Sequence, residues 1–283
     1  MPLFEQDGAR LHYQMHPSQA QDGSLVTFLH GLGSCGEDWL LQVPVVARRH
    51  PILTLDLPGH GRSDALRGRP TTPAMARSVA GLLRELGAAP THLVGLSLGG
   101  AVALQLAADE PRLVRSLIAV NTFARLRMGA GGMGRGLARL ALLGMGRMDW
   151  LGRWVAAGLF PRTEQEGMRR AAAERLASNP RSAYWRAILA AARFDLRSRL
   201  GQIAVPVLII AGEDDTTVPL AAKVELAASI PSARLEIIPG SGHATPIDAH
   251  ERFNALLLAF MEQVERDAQG RQLEIGDWRL LDC

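Results

Sequence analysis

Short apolar runs recur along the chain, each bounded by glycine, proline or polar residues. Runs this short and rich in Val, Ile and Leu are typical of buried strands in a parallel sheet. The first run instead alternates apolar and polar positions, which indicates part of an early hairpin. The runs occupy residues 11–15, 25–29, 52–55, 92–95, 117–120, 207–211 and 235–238.

Segments with helical periodicity lie between several of these runs. Residues 98–108 are almost wholly apolar, as expected of a helix packed against a sheet, whereas the others are amphipathic. The segments predicted to be helical are 75–86, 98–108, 218–230 and 250–264. This alternation of strand and helix favours an α/β fold with a mostly parallel sheet and helices on both faces.

One long segment, residues 123–199, lacks any convincing strand and has a helical pattern interrupted by glycines. We interpret it as a helical cap inserted into a core formed by residues 1–122 and 200–268. The glycines near its start predict a flexible connection and are Gly129, Gly131, Gly132, Gly134 and Gly136. Residues 269–283 are expected to follow the last helix as a tail without an assignable role.

The composition is that of a globular protein: 47% of the 283 residues are hydrophobic and 21% are charged. No apolar stretch reaches the ~18 residues that a membrane span requires, and the N-terminus has no secretory pattern. Cys35 and Cys283 are too far apart in sequence to suggest a disulfide framework. A cytoplasmic location is therefore expected.

Positive charge is concentrated in the cap. Between Arg125 and Arg199 there are 15 arginines and five acidic residues, whereas the whole chain carries a net charge of only +3. We favour solvated helices that face an acidic core as the explanation. The alternatives are an acidic carrier protein that binds the cap, or a membrane surface that contacts residues 136–160, whose glycines disfavour a stable interfacial helix.

The strongest chemical signal is Gly95-Leu96-Ser97-Leu98-Gly99-Gly100, which directly follows a strand and opens a helix. In that context G-x-S-x-G predicts a tight, strained turn that exposes the hydroxyl of Ser97 as a nucleophile. The helix N-terminus places the N–H of Leu98 beside a developing oxyanion. A serine that merely caps a helix is the alternative, and the surrounding strand and helix argue against it.

A second donor is predicted in His30-Gly31-Leu32-Gly33, which follows the strand at 25–29. The N–H of Leu32 is the candidate, and the glycines let the backbone approach the substrate. His30 precedes Ser97 in the chain, so we expect it to anchor the loop without titrating during the reaction.

The base is predicted to be His243, which directly follows the strand at 235–238. That position brings it to the same edge of the sheet as Ser97. The acid that orients it is expected in Glu213-Asp214-Asp215, with Asp215 as first choice and Asp214 in reserve. The order serine, acid, histidine is that of α/β hydrolases.

Four stretches together resemble the α/β-hydrolase superfamily: residues 30–33, the Asp-Leu-Pro-Gly-His-Gly-Arg-Ser of 56–63, residues 95–100, and Gly242-His243. The resemblance implies a mostly parallel eight-stranded sheet with a helical cap. It assigns the acid to Asp215, three residues beyond Gly212 and ahead of a Val-Pro pair. Residues 56–63 are expected to shape a turn without taking part in the chemistry.

Residues 95–122 look similar to 3-oxoadipate enol-lactonases and general carboxylesterases. Relatives with an aspartate nucleophile, the dehalogenases and epoxide hydrolases, are disfavoured because Ser97 holds that position. The basic cap resembles that of pimeloyl-carrier methyl esterases, which leaves the acidic carrier open as a partner.

We therefore expect a serine hydrolase that cleaves carboxylic esters through an acyl-enzyme, with no metal and no cofactor. A lactonase or a carbon–carbon bond hydrolase would use the same triad, and a receptor of the same fold would bind a ligand without turning it over. The residues expected to contact substrate are Gly31, Leu32, Trp154 and Trp185.

Overall fold

The computed structural model describes residues 2–6, 8–20, 23–126 and 130–278. Its centre is one eight-stranded sheet in the order β1-β2-β4-β3-β5-β6-β7-β8. The strands are β1 (Leu3–Gln6), β2 (Ala9–His16), β3 (Val26–Leu29), β4 (Ile52–Leu55), β5 (Thr91–Leu96), β6 (Val114–Val120), β7 (Val207–Gly212) and β8 (Ala233–Ile238). The pairs β1–β2 and β2–β4 are antiparallel and the others are parallel, so the predicted fold class is confirmed.

The central strands are apolar throughout because both faces of the sheet are buried. Along β7, Val207 and Ile209 pack into one core, and Leu208 and Ile210 into the other. This alternation is the period of two expected of a strand, with a helical layer on either side. Strand β1 was not predicted, because its four residues at the sheet margin are exposed or half-buried and leave no apolar run.

The helices of the core cover the two faces of the sheet. They are α1 (Val43–Val46), α2 (Thr72–Glu85), α3 (Leu98–Asp109), α8 (Leu220–Ser229), α9 (Thr245–Asp248) and α10 (His250–Trp278). Helices α2 and α3 pack on one face, and α10 packs on the other. Helix α10 extends to Trp278, past the predicted start of the tail at residue 269. Residues 279–283 lie outside the described residues.

The segment inserted between β6 and β7 is helical. It contains α4 (Ala130–Gly144), α5 (Met148–Leu159), α6 (Glu166–Ala177) and α7 (Arg181–Arg193). Its two ends meet at the base, where Arg125 and Asp195 form an isolated antiparallel bridge and Leu196 N donates to Ala124 O at 2.9 Å. This closure lies near the predicted boundaries at 123 and 199.

None of the helices within the described residues is long and apolar enough to cross a membrane. Cys35 is a buried free thiol whose burial raises its pKa to about 12, so it stays protonated at neutral pH. Cys283 lies outside the described residues.

Candidate active site

Ser97 stands at the turn between β5 and α3, in a backbone conformation that few residues adopt. Its φ of 53° and ψ of −112° lie outside the regions that are normally allowed. The turn is held by hydrogen bonds from Ser97 N to Val120 O at 2.9 Å and from Thr122 Oγ1 to Ser97 O at 2.7 Å. Such strain persists only where the surroundings fix it, and it is typical of functional turns.

The glycines of this motif are required by close backbone contacts. A Cβ atom at Gly95 would lie 2.5 Å from Gly99 O, and one at Gly99 would overlap the carbonyl of Leu29. A Cβ atom at Gly100 would lie 2.6 Å from Thr122 Cβ. The helix can therefore start directly beneath Ser97 only with glycine at these positions.

His243 and Asp215 are joined by a hydrogen bond between the loops that follow β8 and β7. Nδ1 of His243 lies 2.9 Å from Asp215 Oδ2, which leaves Nε2 for another partner. The other acids of the loop are engaged elsewhere: Asp214 pairs with Arg162 at 3.4 Å, and Glu213 accepts from Gly240 N at 3.3 Å. The geometry thus favours Asp215 over Asp214 as the acid that orients the histidine.

The hydroxyl of Ser97 and Nε2 of His243 have no hydrogen-bond partner among the described residues. Both residues line the same cavity. Catalytic hydrogen bonds are often long in the absence of substrate and shorten when it binds. The arrangement can therefore perform base-assisted nucleophilic attack, and the catalytic roles of the three residues stay a prediction.

Lys223 is a member of this site that the sequence analysis missed. Its Nζ lies 2.7 Å from Asp215 Oδ2, and both side chains are fully buried. Burial alone would raise the pKa of Asp215, but the charges and hydrogen bonds of His243 and Lys223 hold it well below its usual range. Burial lowers the pKa of Lys223, and the charge of Asp215 opposes that shift.

Asn121 was also missed, although it ties three loops of the site together. Its Nδ2 lies 2.9 Å from His243 O, 3.1 Å from Gly242 O and 2.7 Å from Thr245 Oγ1. Its Oδ1 accepts from Gly212 N at 2.8 Å, and the residue is fully buried with a φ of 43°. The signal available was an asparagine at the end of a buried strand, where this residue tolerates a positive φ.

One predicted oxyanion donor, Leu98, directly follows Ser97 in the chain, and the other, Leu32, belongs to a loop near the serine. A Cβ atom at Gly31 would lie 3.6 Å from Ser97 Cβ, so the Leu32 loop closely approaches the serine. The backbone N–H groups of Leu32 and Leu98 have no acceptor within the described part of the chain. Unpaired amides beside a nucleophile are the arrangement that an oxyanion hole requires.

His30 anchors the loop that carries Leu32, as predicted. Its Nδ1 lies 2.8 Å from Gly31 O, and its Nε2 accepts from Leu57 N at 2.9 Å. Burial lowers the pKa of His30 to about 4, so the ring stays neutral at physiological pH.

The stretch 56–63 forms a turn, as predicted. Asp56 accepts from Gly36 N at 2.8 Å and from Arg62 N at 2.9 Å, and Ser63 Oγ donates to Asp56 O at 2.6 Å. These bonds fix the turn beside the loop of Leu32, at the same edge of the sheet.

Ser97 and His243 open into a cavity of about 820 Å³ between the core and the cap. Gly31, Leu32 and Trp154 line it, and most of the cap residues that line it are apolar. The prediction for Trp185 needs correction: it is 40% exposed and is not among the lining residues, because α7 turns its neighbour Tyr184 inward instead. The cavity is large enough for an acyl chain of moderate length.

Cap arginines bind the core. Arg175 lies 3.1 Å from Glu37 Oε2 and 3.4 Å from Asp38 Oδ1, and Arg186 donates at 2.6 Å to the carbonyl oxygens of Leu66 and Gly68. Part of the positive charge of the cap is therefore paired with groups of the core in the same molecule. They favour helices facing an acidic core as the reason for the arginine-rich composition, and a carrier partner stays a prediction.

No group of three or more His, Cys, Asp or Glu side chains that could hold a metal ion occurs in the ranges that the structure describes. His12, for example, bonds Asp56 at 3.0 Å.

A family model for the alpha/beta hydrolase fold matches residues 25–249. The chain belongs to this family. The match includes Ser97, Asp215 and His243, and it spans the cap as well as most of the sheet. Membership establishes a hydrolase of this fold, whereas the bond that it cleaves depends on the site.

Three similar proteins illustrate the range of activities. The protein named carbamate hydrolase RutD from Variovorax paradoxus is 35% identical over 266 residues, covering 90% of this chain and 97% of that protein. The protein of the same name from Azorhizobium caulinodans is 30% identical, covering 94% of this chain and 100% of that protein. The solved enol-lactonase from Burkholderia xenovorans LB400 has a TM-score of 0.85 at 25% identity, covering 92% of this chain and 100% of that one.

Proposed function

We propose that this hydrolase cleaves carboxylic esters through an acyl-enzyme formed on Ser97. The observation that carries the proposal is the bond of 2.9 Å between His243 Nδ1 and Asp215 Oδ2, because His243 lines the same cavity as the strained turn of Ser97. A nucleophile, a base and an orienting acid are the three groups that this chemistry requires.

The reaction follows from these positions. His243 removes the proton of Ser97 through Nε2 while Ser97 Oγ attacks the ester carbonyl, and Asp215 stabilises the imidazolium. The N–H groups of Leu32 and Leu98 bind the oxyanion, and His243 returns the proton to the leaving alcohol. Water activated by the same histidine then releases the acid and regenerates the serine.

A lactone is the second substrate class that an observation favours. The similar enol-lactonase covers nearly the whole fold, including the cap that roofs the cavity. A lactone is a cyclic ester, so the same groups open it and the difference lies in the shape of the pocket. The names of the relatives from V. paradoxus and A. caulinodans add carbamates to the classes worth testing.

Replacement of Ser97 by alanine tests the proposal. We expect the wild type to hydrolyse short p-nitrophenyl esters, and Ser97→Ala to lower kcat by at least about 1,000-fold, because no other hydroxyl replaces the nucleophile. Ser229→Ala, on the exposed end of α8, is the control and should retain full activity. A stopped assay with intact-mass detection of the acyl-serine reports the intermediate directly. Steady turnover by Ser97→Ala would exclude Ser97 as the nucleophile.

A panel of esters, lactones and carbamates defines the substrate class. A kcat/KM for esters or lactones well above that for carbamates supports the proposal, and the reverse order contradicts it. Ligand binding without turnover across the panel would indicate a receptor of the same fold. Loss of activity with added salt on a carrier-bound ester, but not on a neutral free ester, would indicate the acidic carrier.

A further inference from the structure

Lys223 is the single lysine of the chain, and its ammonium group is fully buried. It lies in the first turn of α8, just after the loop of Asp215. Its Nζ lies 2.7 Å from Asp215 Oδ2 and 3.5 Å from Gly212 O. An apolar side chain would fill the same space without the cost of burying a charge, so packing alone does not account for a lysine here.

Lys223 and His243 bind the same oxygen of the acid. Nδ1 of His243 lies 2.9 Å from Asp215 Oδ2, and Oδ1 accepts from the backbone N–H groups of Thr217 at 2.8 Å and Val218 at 3.1 Å. A carboxylate that accepts four donors is held in its ionised form. Lys223 and His243 are the titratable groups that act on Asp215 among the described residues.

The charges of this cluster determine its effect on the base. With neutral His243, the carboxylate and the ammonium compensate each other. When His243 accepts a proton, Asp215 attracts the imidazolium less strongly, because the ammonium group of Lys223 already offsets the charge of this carboxylate. Lys223 Nζ and His243 Nδ1 both contact Asp215 Oδ2, so the distance between the two nitrogens cannot exceed the sum of these two contact distances. At so short a separation, two positive charges repel each other.

We propose that Lys223 acts through Asp215 on His243, holding the acid in place and offsetting part of the negative charge that a protonated imidazole would face. This inference rests on the proposed function, because it assigns to His243 the role of the base. Lys223 is thus a positioning residue: it touches neither substrate nor the reacting hydroxyl.

The positive charge of Lys223 determines in which direction its removal shifts the pH dependence of the activity. Without Lys223, the full charge of Asp215 would stabilise the imidazolium, and His243 would hold its proton to higher pH. The acid limb of the kcat/KM profile would therefore move upward. A like charge within about 4–6 Å shifts such an equilibrium by roughly 1 unit or more, so a shift of about 1 pH unit is expected.

Two variants separate charge from hydrogen bonding. Lys223→Met removes both, whereas Lys223→Gln removes the charge and keeps a donor toward Asp215. We expect both to move the acid limb upward by about 1 unit, and kcat at the plateau to fall more in Lys223→Met than in Lys223→Gln. Arg234→Gln, an exposed change of equal charge on β8, is the control and should leave the profile in place.

Titration of His243 by NMR tests the inference without any substrate, and His243→Gln assigns its signal. An upward shift of this titration in Lys223→Gln supports the inference even if no ester is turned over, in which case only the proposed function fails. An unmoved titration and an unmoved acid limb in a folded variant would overturn it. Lys223→Gln is expected to fold, because His243 and two backbone amides still bind the carboxylate.

Discussion

Individual residues of the site divide into those with a local signal and those without one. Ser97 has a local signal, because its strand, its turn and its glycines are neighbours in the chain. Asp215 and Asp214 are adjacent acids in one loop; the family resemblance favours Asp215, and the contact with His243 distinguishes it from Asp214, which pairs with Arg162. Lys223 had no signal at all, since a lysine on an amphipathic helix is normally solvated.

A substitution of Asn121 gives a testable prediction for a single residue. Asn121→Ala removes four hydrogen bonds. The N–H of Gly212 and the carbonyl of His243 then lose their partner, at about 1–3 kcal/mol each, whereas Gly242 O and Thr245 Oγ1 keep the bond between them. Because Asn121 also holds the carbonyl of Gly242, the loop of His243 loses support. We expect lower thermal stability and a drop in kcat of about 10- to 100-fold, measured by calorimetry and ester hydrolysis.

Gln105→Ala is the matched control for Asn121. Gln105 is likewise a buried amide, but its Nε2 bonds Asp109 within α3, away from the histidine loop. We expect this variant to change stability and to leave kcat within about 3-fold of the wild type. Equal kcat values for the two variants would contradict the role given to Asn121.

Secondary-structure elements were predictable where their own residues carry the pattern. The buried strands β3 to β7 fill both faces of the sheet and leave unbroken apolar runs. Strand β1 and the end of α10 leave no such run in the sequence, and the residues of β1 are exposed or half-buried. The ends of these two elements depend on strand pairing and on helix propensity, and a short stretch of sequence predicts neither of them well.

Glu265 gives the prediction at the scale of elements, because it ties α10 to the sheet. Its Oε1 lies 3.4 Å from His92 Nε2 on β5 and 3.8 Å from His50 Nδ1. The bond from His92 is the main cause that lowers the pKa of Glu265 from 4.5 to about 2, against the opposing effect of burial. A carboxyl whose pKa is lowered by folding stabilises the fold above its unfolded pKa, and that contribution is lost as the pH falls through the folded value.

We therefore expect Glu265→Gln to lower the free energy of unfolding by about 1–2 kcal/mol at pH 7, after allowance for partial exposure. The difference from the wild type should shrink as the pH falls from about 4.5 toward 2, as measured by urea unfolding at several pH values. Glu262→Gln, an exposed change on the same helix, should alter stability by less than about 0.5 kcal/mol. A difference that does not depend on pH would contradict the linkage.

At the scale of the whole molecule, the cap and the core build the cavity together. The cap supplies Trp154, Arg139 and Leu176, and the core supplies Ser97 and His243. The cap also contacts the loop of Leu32, one of the two predicted oxyanion donors: Asn179 Nδ2 lies 2.9 Å from Gly33 O. The position of the cap is therefore coupled to the geometry of this loop.

Gly33→Ala tests this coupling. Gly33 has a φ of +80°, and its added Cβ would overlap Leu176 Cδ2 and lie 2.8 Å from Tyr184 Cε2, both in the cap. We expect the cap to be pushed off the loop, displacing the N–H of Leu32. Hydrogen exchange in α6 should rise while the strands stay protected, and kcat/KM should fall by about 100-fold.

Gly87→Ala separates this clash from backbone strain. Gly87 also has a positive φ, of +58°, but an added Cβ would meet no atom within 4 Å. It should cost about 1 kcal/mol of stability and leave the cap and the activity unchanged. The same activity and the same hydrogen exchange in α6 for Gly33→Ala and Gly87→Ala would contradict the coupling between the cap and the loop.

The sequence by itself determined the features that neighbouring residues specify: the alternation of strand and helix, the helical insertion, the strained turn of Ser97 and the loop position of His243. Only the tertiary structure showed that Asp214 pairs with Arg162 and leaves Asp215 to the histidine, that Lys223 shares this acid, and that Asn121 holds residues more than 120 positions away. Local patterns follow from backbone geometry and burial, whereas these contacts arise where separate strand ends converge at one edge of the sheet.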